Sequence, residues 1–176
     1  MSAEQMSIAG EWCDAEDGGT ADILNPATGE VMATTPKATL GDVNRTVEAS
    51  RAAFNDSTWK NMDPAQRGRI LNKMAQATYA KAKELAVLES NNNGKTFREA
   101  LSEIRYGAWT LEYFAGLSDK IEGSTIPVPG NRLNYTLRQP LGVTVHIIPW
   151  NFPLQLALRS IAPALAAGCT VIAKNS

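Results

Sequence analysis

An α/β fold is what this sequence predicts, on three observations. Val143 to Ile148 is nearly continuous in apolar residues, Leu154 to Ala167 follows with helical character, and Thr170 to Ala173 is apolar again. Such an order is one strand-helix-strand unit, its first strand covered on both faces. Upstream, short β-like runs between Ile8 and Thr35 give way to segments of helical periodicity between Thr39 and Ser118.

The elements follow in order. Asp17-Gly18-Gly19, Asn25-Pro26 and Thr28-Gly29 punctuate the N-terminal runs as turns, which predicts a hairpin-like flap. Thr39 or Asp42 caps a helix carrying Val43, Val47 and Phe54 and ending near Asp56-Ser57. Asp63 as N-cap and Pro64 at the first helical position start another, whose stripe is Ile70, Leu71, Met74 and Ala75. Lys83 to Leu88 continues helically and stops at Asn91-Asn92-Asn93-Gly94, where Asn or Gly takes the left-handed terminal conformation, so the Asn run reads as a cap.

From Thr96 to Ser118 a longer helix is expected to bury Leu101, Ile104, Trp109, Leu111 and Phe114 and to leave Glu99, Glu103 and Arg105 to solvent. Its aromatics, Tyr106, Trp109, Tyr113 and Phe114, read as core packing rather than a stacking surface. Past the Pro127-Val128-Pro129-Gly130 loop, Asn134 to Arg138 alternates like a half-exposed strand. Pro163 is expected to break or kink the last helix, and Gly168 to stop it.

Composition narrows the function classes. The 176 residues suffice for about one domain, and 44% of them are hydrophobic. Lys plus Arg total 17 against 18 acidic residues, so nucleic acid is not an expected partner. No run reaches the roughly 20 apolar residues a membrane span needs, and Met1 to Gln5 lacks a basic leader, so a cytoplasmic chain with no membrane partner is expected. Cys13 and Cys169 stand far apart and out of metal-ligand spacing; no metal site and no disulfide framework are expected. Cys169, between Gly168 and Thr170, reads as a small buried hydrophobe, because no base or cationic neighbour adjoins it. His146, the single histidine, lies in the apolar run and reads as a core residue.

The most informative stretch is Ile147-Ile148-Pro149-Trp150-Asn151-Phe152-Pro153. An apolar strand stops at a turn bracketed by two prolines that holds one polar residue, Asn151. Prolines on either side fix the backbone, so the Asn151 amide can be aimed in advance at a developing charge. The alternative is a plain strand-to-helix turn with an Asn cap. No Gly-x-Gly-x-x-Gly follows the strand, so the usual dinucleotide fingerprint is absent.

In order along the chain, Asn25-Pro26-Ala27-Thr28-Gly29-Glu30-Val31, Asn93-Gly94-Lys95, Pro140-Leu141-Gly142-Val143, Ile147 to Pro153 and Ala162 to Gly168 resemble the motifs of NAD(P)-dependent aldehyde dehydrogenases. The resemblance covers almost the whole chain. It implies a partial Rossmann-like coenzyme domain of that fold: residues 1–125 as N-terminal strands and helices, 126–141 as an oligomerisation-type strand segment, and 142–176 as the start of the strand-helix-strand coenzyme unit. Asn151 would then donate its amide to the aldehyde oxygen while a thiol attacks. Ile147, Ile148, Pro149, Trp150, Lys174 and Ser176 would contact NAD or NADP. Without the resemblance, Lys174 is simply a solvated charge at a strand end.

Phe152, Leu156 and Arg159, spaced four and three apart, share one helical face that would line a substrate tunnel. Arg159 stands where semialdehyde dehydrogenases also carry Arg, suited to a substrate carboxylate, although a surface Arg on an amphipathic helix is the plainer reading. Ser160 replaces a Lys common in relatives, and Asn175 replaces a proline. The implied partners are a small-molecule aldehyde and, in the full-length form, further copies of the same subunit.

Aldehyde oxidation also needs a thiolate, a hydride acceptor and a base to activate water. By the same resemblance the nucleophilic Cys, the base Glu and the glycine-rich pyrophosphate turn would all lie beyond Ser176. The chain alone is therefore expected to be inactive, and marginal or partner-dependent in folding. An end inside the coenzyme motif favours a truncated dehydrogenase over a non-catalytic remnant that associates through the strand around Tyr135.

Overall fold

The computed structural model describes residues 2–176; Met1, the first residue of the stretch read for a leader, lies outside them. Five short strands open the chain: β1 (Ser2–Ala3), β2 (Met6–Ile8), β3 (Glu11–Cys13), β4 (Thr20–Leu24) and β5 (Val31–Pro36). β2 and β3 form an antiparallel hairpin across Ala9 and Gly10, both at positive φ. β5 lies between β1, parallel to it, and β4, antiparallel. The flap read from the turn residues is therefore two small sheets.

Five helices follow before the next strand. These are α1 (Leu40–Asn55), the one-turn α2 (Ser57–Lys60), α3 (Pro64–Ala80), α4 (Ala82–Asn93) and α5 (Phe97–Leu117). Both residues proposed as the α1 cap act together: the Asp42 N–H donates to the Thr39 hydroxyl, and the Thr39 N–H donates to the Asp42 carboxylate. Asp63 caps α3 with Pro64 inside its first turn. Gly94, at φ 83°, ends α4 in the left-handed conformation the sequence predicts. Thr96 and Glu99 make a second capping box at α5, so Glu99 does more than face solvent.

The buried Asp42 carboxylate links the flap to α1. It accepts from the Thr39 N–H, and more weakly from the Glu16 N–H across 26 residues, and these bonds hold its pKa below the ordinary carboxylate value. A depressed carboxylate pKa adds stability that is present above the unfolded value and lost as the pH falls through the folded one. Asp42→Asn is accordingly expected to flatten the acid limb of stability, read as urea midpoints between about pH 5 and about pH 2. Identical acid limbs for the two proteins would contradict this.

The core lies among α3, α5 and α6 (Pro153–Ala166). Leu71, Ala75, Leu111, Leu158, Ala162 and Ala166 meet there, and Ala82, Ala86, Ala100 and Ile104 form a second cluster between α4 and α5. Small residues bring these helices close. A Cβ on Gly68 would stand 2.6 Å from the Ala115 carbonyl oxygen, so α3 and α5 touch backbone to side. One on Gly107 would stand 2.9 Å from Leu158 Cδ1, which brings α6 equally near α5.

Beyond α5, β6 (Thr125–Ile126) pairs antiparallel with β7 (Asn134–Tyr135). The strand expected over Asn134 to Arg138 is thus only two residues long, and both are exposed. β8 (Val143–Ile147), α6 and β9 (Thr170–Lys174) complete the predicted unit, with β8 and β9 parallel and Ile147 opposite Lys174. Thr170 exchanges hydrogen bonds with Ser50 of α1, and the Trp59 indole N–H donates to the Gly168 carbonyl. Gly168, at φ 89°, closes α6 with its own N–H on the Leu165 carbonyl and that of Cys169 on Ala164. Cys169 is buried, as read.

Several expectations need correction. On α5, Ala100, Ile104, Gly107, Ala108 and Leu111 form the inward face, which turns Tyr106, Trp109 and Tyr113 to the opposite side. Trp109 is 50% exposed, and its ring lies 5.4 Å from that of Tyr106 and 6.0 Å from that of Tyr113. The aromatics are a surface ladder, with only Phe114 partly in the core. Glu103, assigned to solvent, is ion-paired with Lys95.

Ile70, placed in the α3 stripe, is exposed because Arg67, Gly68, Leu71 and Ala75 take the inward positions, and on α1 Val43 is exposed while Asp42 is buried. β8 is not covered on both faces, since Val145 and Ile147 stand open. His146 is half-buried rather than core, bonded to the Thr144 hydroxyl, and burial lowers its pKa. Nor does Pro163 break α6, which runs unbroken through it. Among the described residues no helix is long and apolar enough to cross a membrane.

Candidate functional site

β8 ends where the candidate turn begins. The Ile148 N–H donates to the Lys174 carbonyl at 2.9 Å, so the last bond of the parallel pair ties the turn to the end of β9. The carboxyl ends of both strands therefore open on one edge, the place where open α/β sheets take ligands. Ile147 is 79% exposed and Trp150 71%, while Pro149, Lys174 and Ser176 are exposed beside them. Ile148 is the exception at 6%, so its side chain belongs to the core and only its main chain reaches the edge.

Asn151 is not a cap. The N-cap of α6 is Phe152, with no side-chain cap bond, and Pro153 occupies the first helical position. The Asn151 side chain is exposed and makes no hydrogen bond among the described residues. Its backbone, in contrast, is held from outside the turn. The Asn93 amide donates to the Trp150 carbonyl at 2.6 Å, and the Lys95 ammonium donates to the Asn151 carbonyl at 2.7 Å. Both donors flank Gly94, whose left-handed conformation reverses the chain between α4 and α5.

Lys95 is itself built in. Its ammonium donates to Glu89 at 3.1 Å and to Glu103, and lies 4.6 Å from the centroid of the Phe152 ring. All three of its protons are thereby used. Burial opposes its charge, yet the hydrogen bonds to Glu103 and Glu89 more than compensate, and its pKa stands above the ordinary lysine value. Burial pushes the Glu89 carboxyl up, and the neighbouring Glu103 carboxylate adds to the rise against the opposing pull of Lys95.

The three residues proposed for a substrate face lie where α6 leaves the turn. Phe152 and Arg159 are exposed and Leu156 is half-buried, at the predicted four- and three-residue spacing. Ser160 turns its hydroxyl back onto the Leu156 and Ala157 carbonyls. Among the described residues no group of three or more His, Cys, Asp or Glu could hold a metal ion.

Sequence reading missed Asn93 and Lys95 as supports of the turn. They sit 57 and 56 residues from the carbonyls they bind, beyond the reach of any local periodicity. Their signals were Asn93 in the Asn91–Gly94 run, which reads as a helix cap, and the Asn93-Gly94-Lys95 motif, which carries part of the family resemblance.

Comparison with known proteins gives a consistent result. Residues 12–176 match the aldehyde dehydrogenase family. Over 178 residues the chain is 45% identical to the (Z)-2-((N-methylformamido)methylene)-5-hydroxybutyrolactone dehydrogenase of Acinetobacter baylyi, covering 100% of this chain and 36% of that protein. It is 43% identical over 172 residues to retinal dehydrogenase 2 of Homo sapiens, covering 97% and 33% respectively. An aldehyde dehydrogenase from Bacillus cereus, solved as an NAD+ complex, superposes with a TM-score of 0.96 at 39% identity, covering 98% of this chain and 35% of that one. The chain spans about a third of the length of the relatives it matches.

Proposed function

Since the chain belongs to the aldehyde dehydrogenase family, we propose that it supplies the oxygen-binding donor and one edge of the coenzyme site for NAD- or NADP-dependent oxidation of an aldehyde to a carboxylic acid. The observation that carries this reading is the contrast within the Trp150–Asn151 turn. Its carbonyls are held by Asn93 and Lys95, while the one polar side chain it presents is left free.

Asn151 binds the aldehyde oxygen as negative charge builds on it. An amide positioned beforehand does this without reorganising as the charge grows, which is what makes such a donor effective. The thiol that attacks and the base that activates water come from outside these 176 residues, so activity belongs to an intact enzyme carrying this segment. A small-molecule aldehyde is its partner, and further copies of the subunit complete it. The exposed Leu133, Tyr135 and Leu137 around β7 support that assembly.

The edge fits a dinucleotide coenzyme. Ile147 and Trp150 offer open apolar surface for a flat ring, Pro149 stiffens the turn between them, and Lys174 offers an ammonium for ribose hydroxyls with Ser176 beyond it. Bound there, NAD or NADP supplies the hydride acceptor. The protein's part is to hold that group beside the turn and to keep Asn151 aimed at the reacting carbon's oxygen.

Phe152, Leu156 and Arg159 make one wall of the aldehyde's path, and the exposed Arg159 guanidinium suits a substrate whose far end carries a carboxylate. The test is aldehyde-dependent reduction of NAD+ and of NADP+ by an intact enzyme with this segment as its N-terminal third. Succinic semialdehyde is expected to exceed an unsubstituted aldehyde of similar length by about 10-fold in kcat/KM, and Arg159→Leu to erase the difference; a charge-assisted hydrogen bond of about 1.5 kcal/mol corresponds to roughly that factor. Equal rates for the two aldehydes would remove the semialdehyde reading, and no coenzyme reduction with either would remove the dehydrogenase reading.

A further inference from the structure

The clasp on the Asn151 turn is more than local packing requires. A cluster of one lysine and two glutamates, with Glu89 buried and Lys95 and Glu103 largely so, is an uneconomical way to stabilise a fold, because hydrocarbon side chains of similar volume often do as well or better. What such a cluster does provide is direction. Glu89 and Glu103 take two of the three Lys95 protons, which leaves the third aimed at the Asn151 carbonyl.

Asn93 takes the carbonyl of the preceding residue in the same way. The peptide groups on both sides of the Asn151 Cα are then fixed from outside the turn, and only the two side-chain torsions of Asn151 remain to be set. The Phe152 ring beneath the ammonium closes the remaining side of the clasp.

We propose that Lys95, oriented by Glu89 and Glu103, is a positioning residue for the oxidation reaction, acting through the main chain of Asn151 to hold its amide where the aldehyde oxygen develops charge. The proposal rests on the reading of Asn151 as the oxygen's donor. Lys95 itself touches neither aldehyde nor coenzyme. Its loss therefore slows the step in which the oxygen acquires charge and leaves coenzyme affinity as it was.

The test is a double-mutant cycle on first-turnover acylation in an intact enzyme carrying this segment, with coenzyme Kd measured alongside. Lys95→Met is expected to slow acylation roughly 10- to 100-fold, the scale of a small misplacement of a catalytic group, with Kd unchanged. In an Asn151→Ala background the same substitution is expected to slow it no further, because the group it positions is already gone.

Removing Lys95 alone leaves two buried carboxylates facing each other, and that variant is at risk of not folding. The combination of Glu89→Met, Lys95→Met and Glu103→Met replaces the whole cluster with hydrocarbon, and is expected to fold with near-original stability yet remain as slow as Lys95→Met. A folded triple variant with full acylation rate overturns the proposal, as does multiplication of the Lys95 and Asn151 effects. If Asn151→Ala is slow while Lys95→Met is not, only the positioning role falls. Full acylation by Asn151→Ala removes the donor reading beneath it.

Discussion

Asn151→Ala, in an intact aldehyde dehydrogenase carrying this segment, is expected to slow acylation by about 10²- to 10³-fold, the loss that follows removal of one donor from an oxyanion site. The structure makes this substitution a clean probe. Asn151 caps no helix, and its side chain holds nothing else in place. The bonds from Asn93 and Lys95 fall on main-chain carbonyls and survive the change. The thermal melt is accordingly expected to stay where it was while kcat falls. An unchanged first-turnover rate would contradict the assignment, and a collapsed melt would mean that Asn151 is structural after all.

Leu111→Ala is expected to lower stability by about 3 kcal/mol, within the range for emptying a buried leucine site. Leu111 is 0% exposed and lies where α3, α5 and α6 converge. The cavity cannot close by drawing the helices together. Gly68 already lies against the Ala115 carbonyl, and Gly107 against Leu158, so both approaches are at contact. Since α6 carries the Asn151 turn at its start, loosening of this core reaches the site as well. The check is the urea midpoint at constant slope, and a loss below about 0.5 kcal/mol, the size of an ordinary surface change, would show that the site can collapse.

Much of this architecture was legible because it is local. Caps such as Thr39, Asp63 and Gly94 act within one turn, and the strand-helix-strand order at Val143 to Lys174 follows from apolar runs and one stopping glycine. The α5 ladder was not legible. Tyr106, Trp109 and Tyr113 share helical spacing with the true core face, and hydrophobicity alone favours burying rings over alanines. What decides the matter is close packing: Ala100, Gly107 and Ala108 let neighbouring helices approach, and large rings there would hold them apart.

The open face of β8 escaped for a similar reason. An apolar run reports what a strand is suited to be covered by, not what covers it, and Val145 and Ile147 stand open here. At the site, the turn that holds Asn151 was legible as a strand-to-helix turn because two prolines bracket it, and the helical placement of Leu156 and Arg159 because spacing relates them. Asn93 and Lys95 were not, because their partners lie more than fifty residues away, brought to them by the packing of α4 on α5 and of α5 on α6.

The claim that stands above the others is that the Asn151 amide meets the aldehyde oxygen. A crystal structure of an intact enzyme carrying this segment, with an aldehyde trapped on its nucleophile, tests it directly. The Asn151 Nδ2 is expected about 2.7–3.1 Å from that oxygen, with Asn93 and Lys95 still bound to the turn carbonyls. An oxygen held only by other donors, with the Asn151 amide turned away from it, would contradict the account.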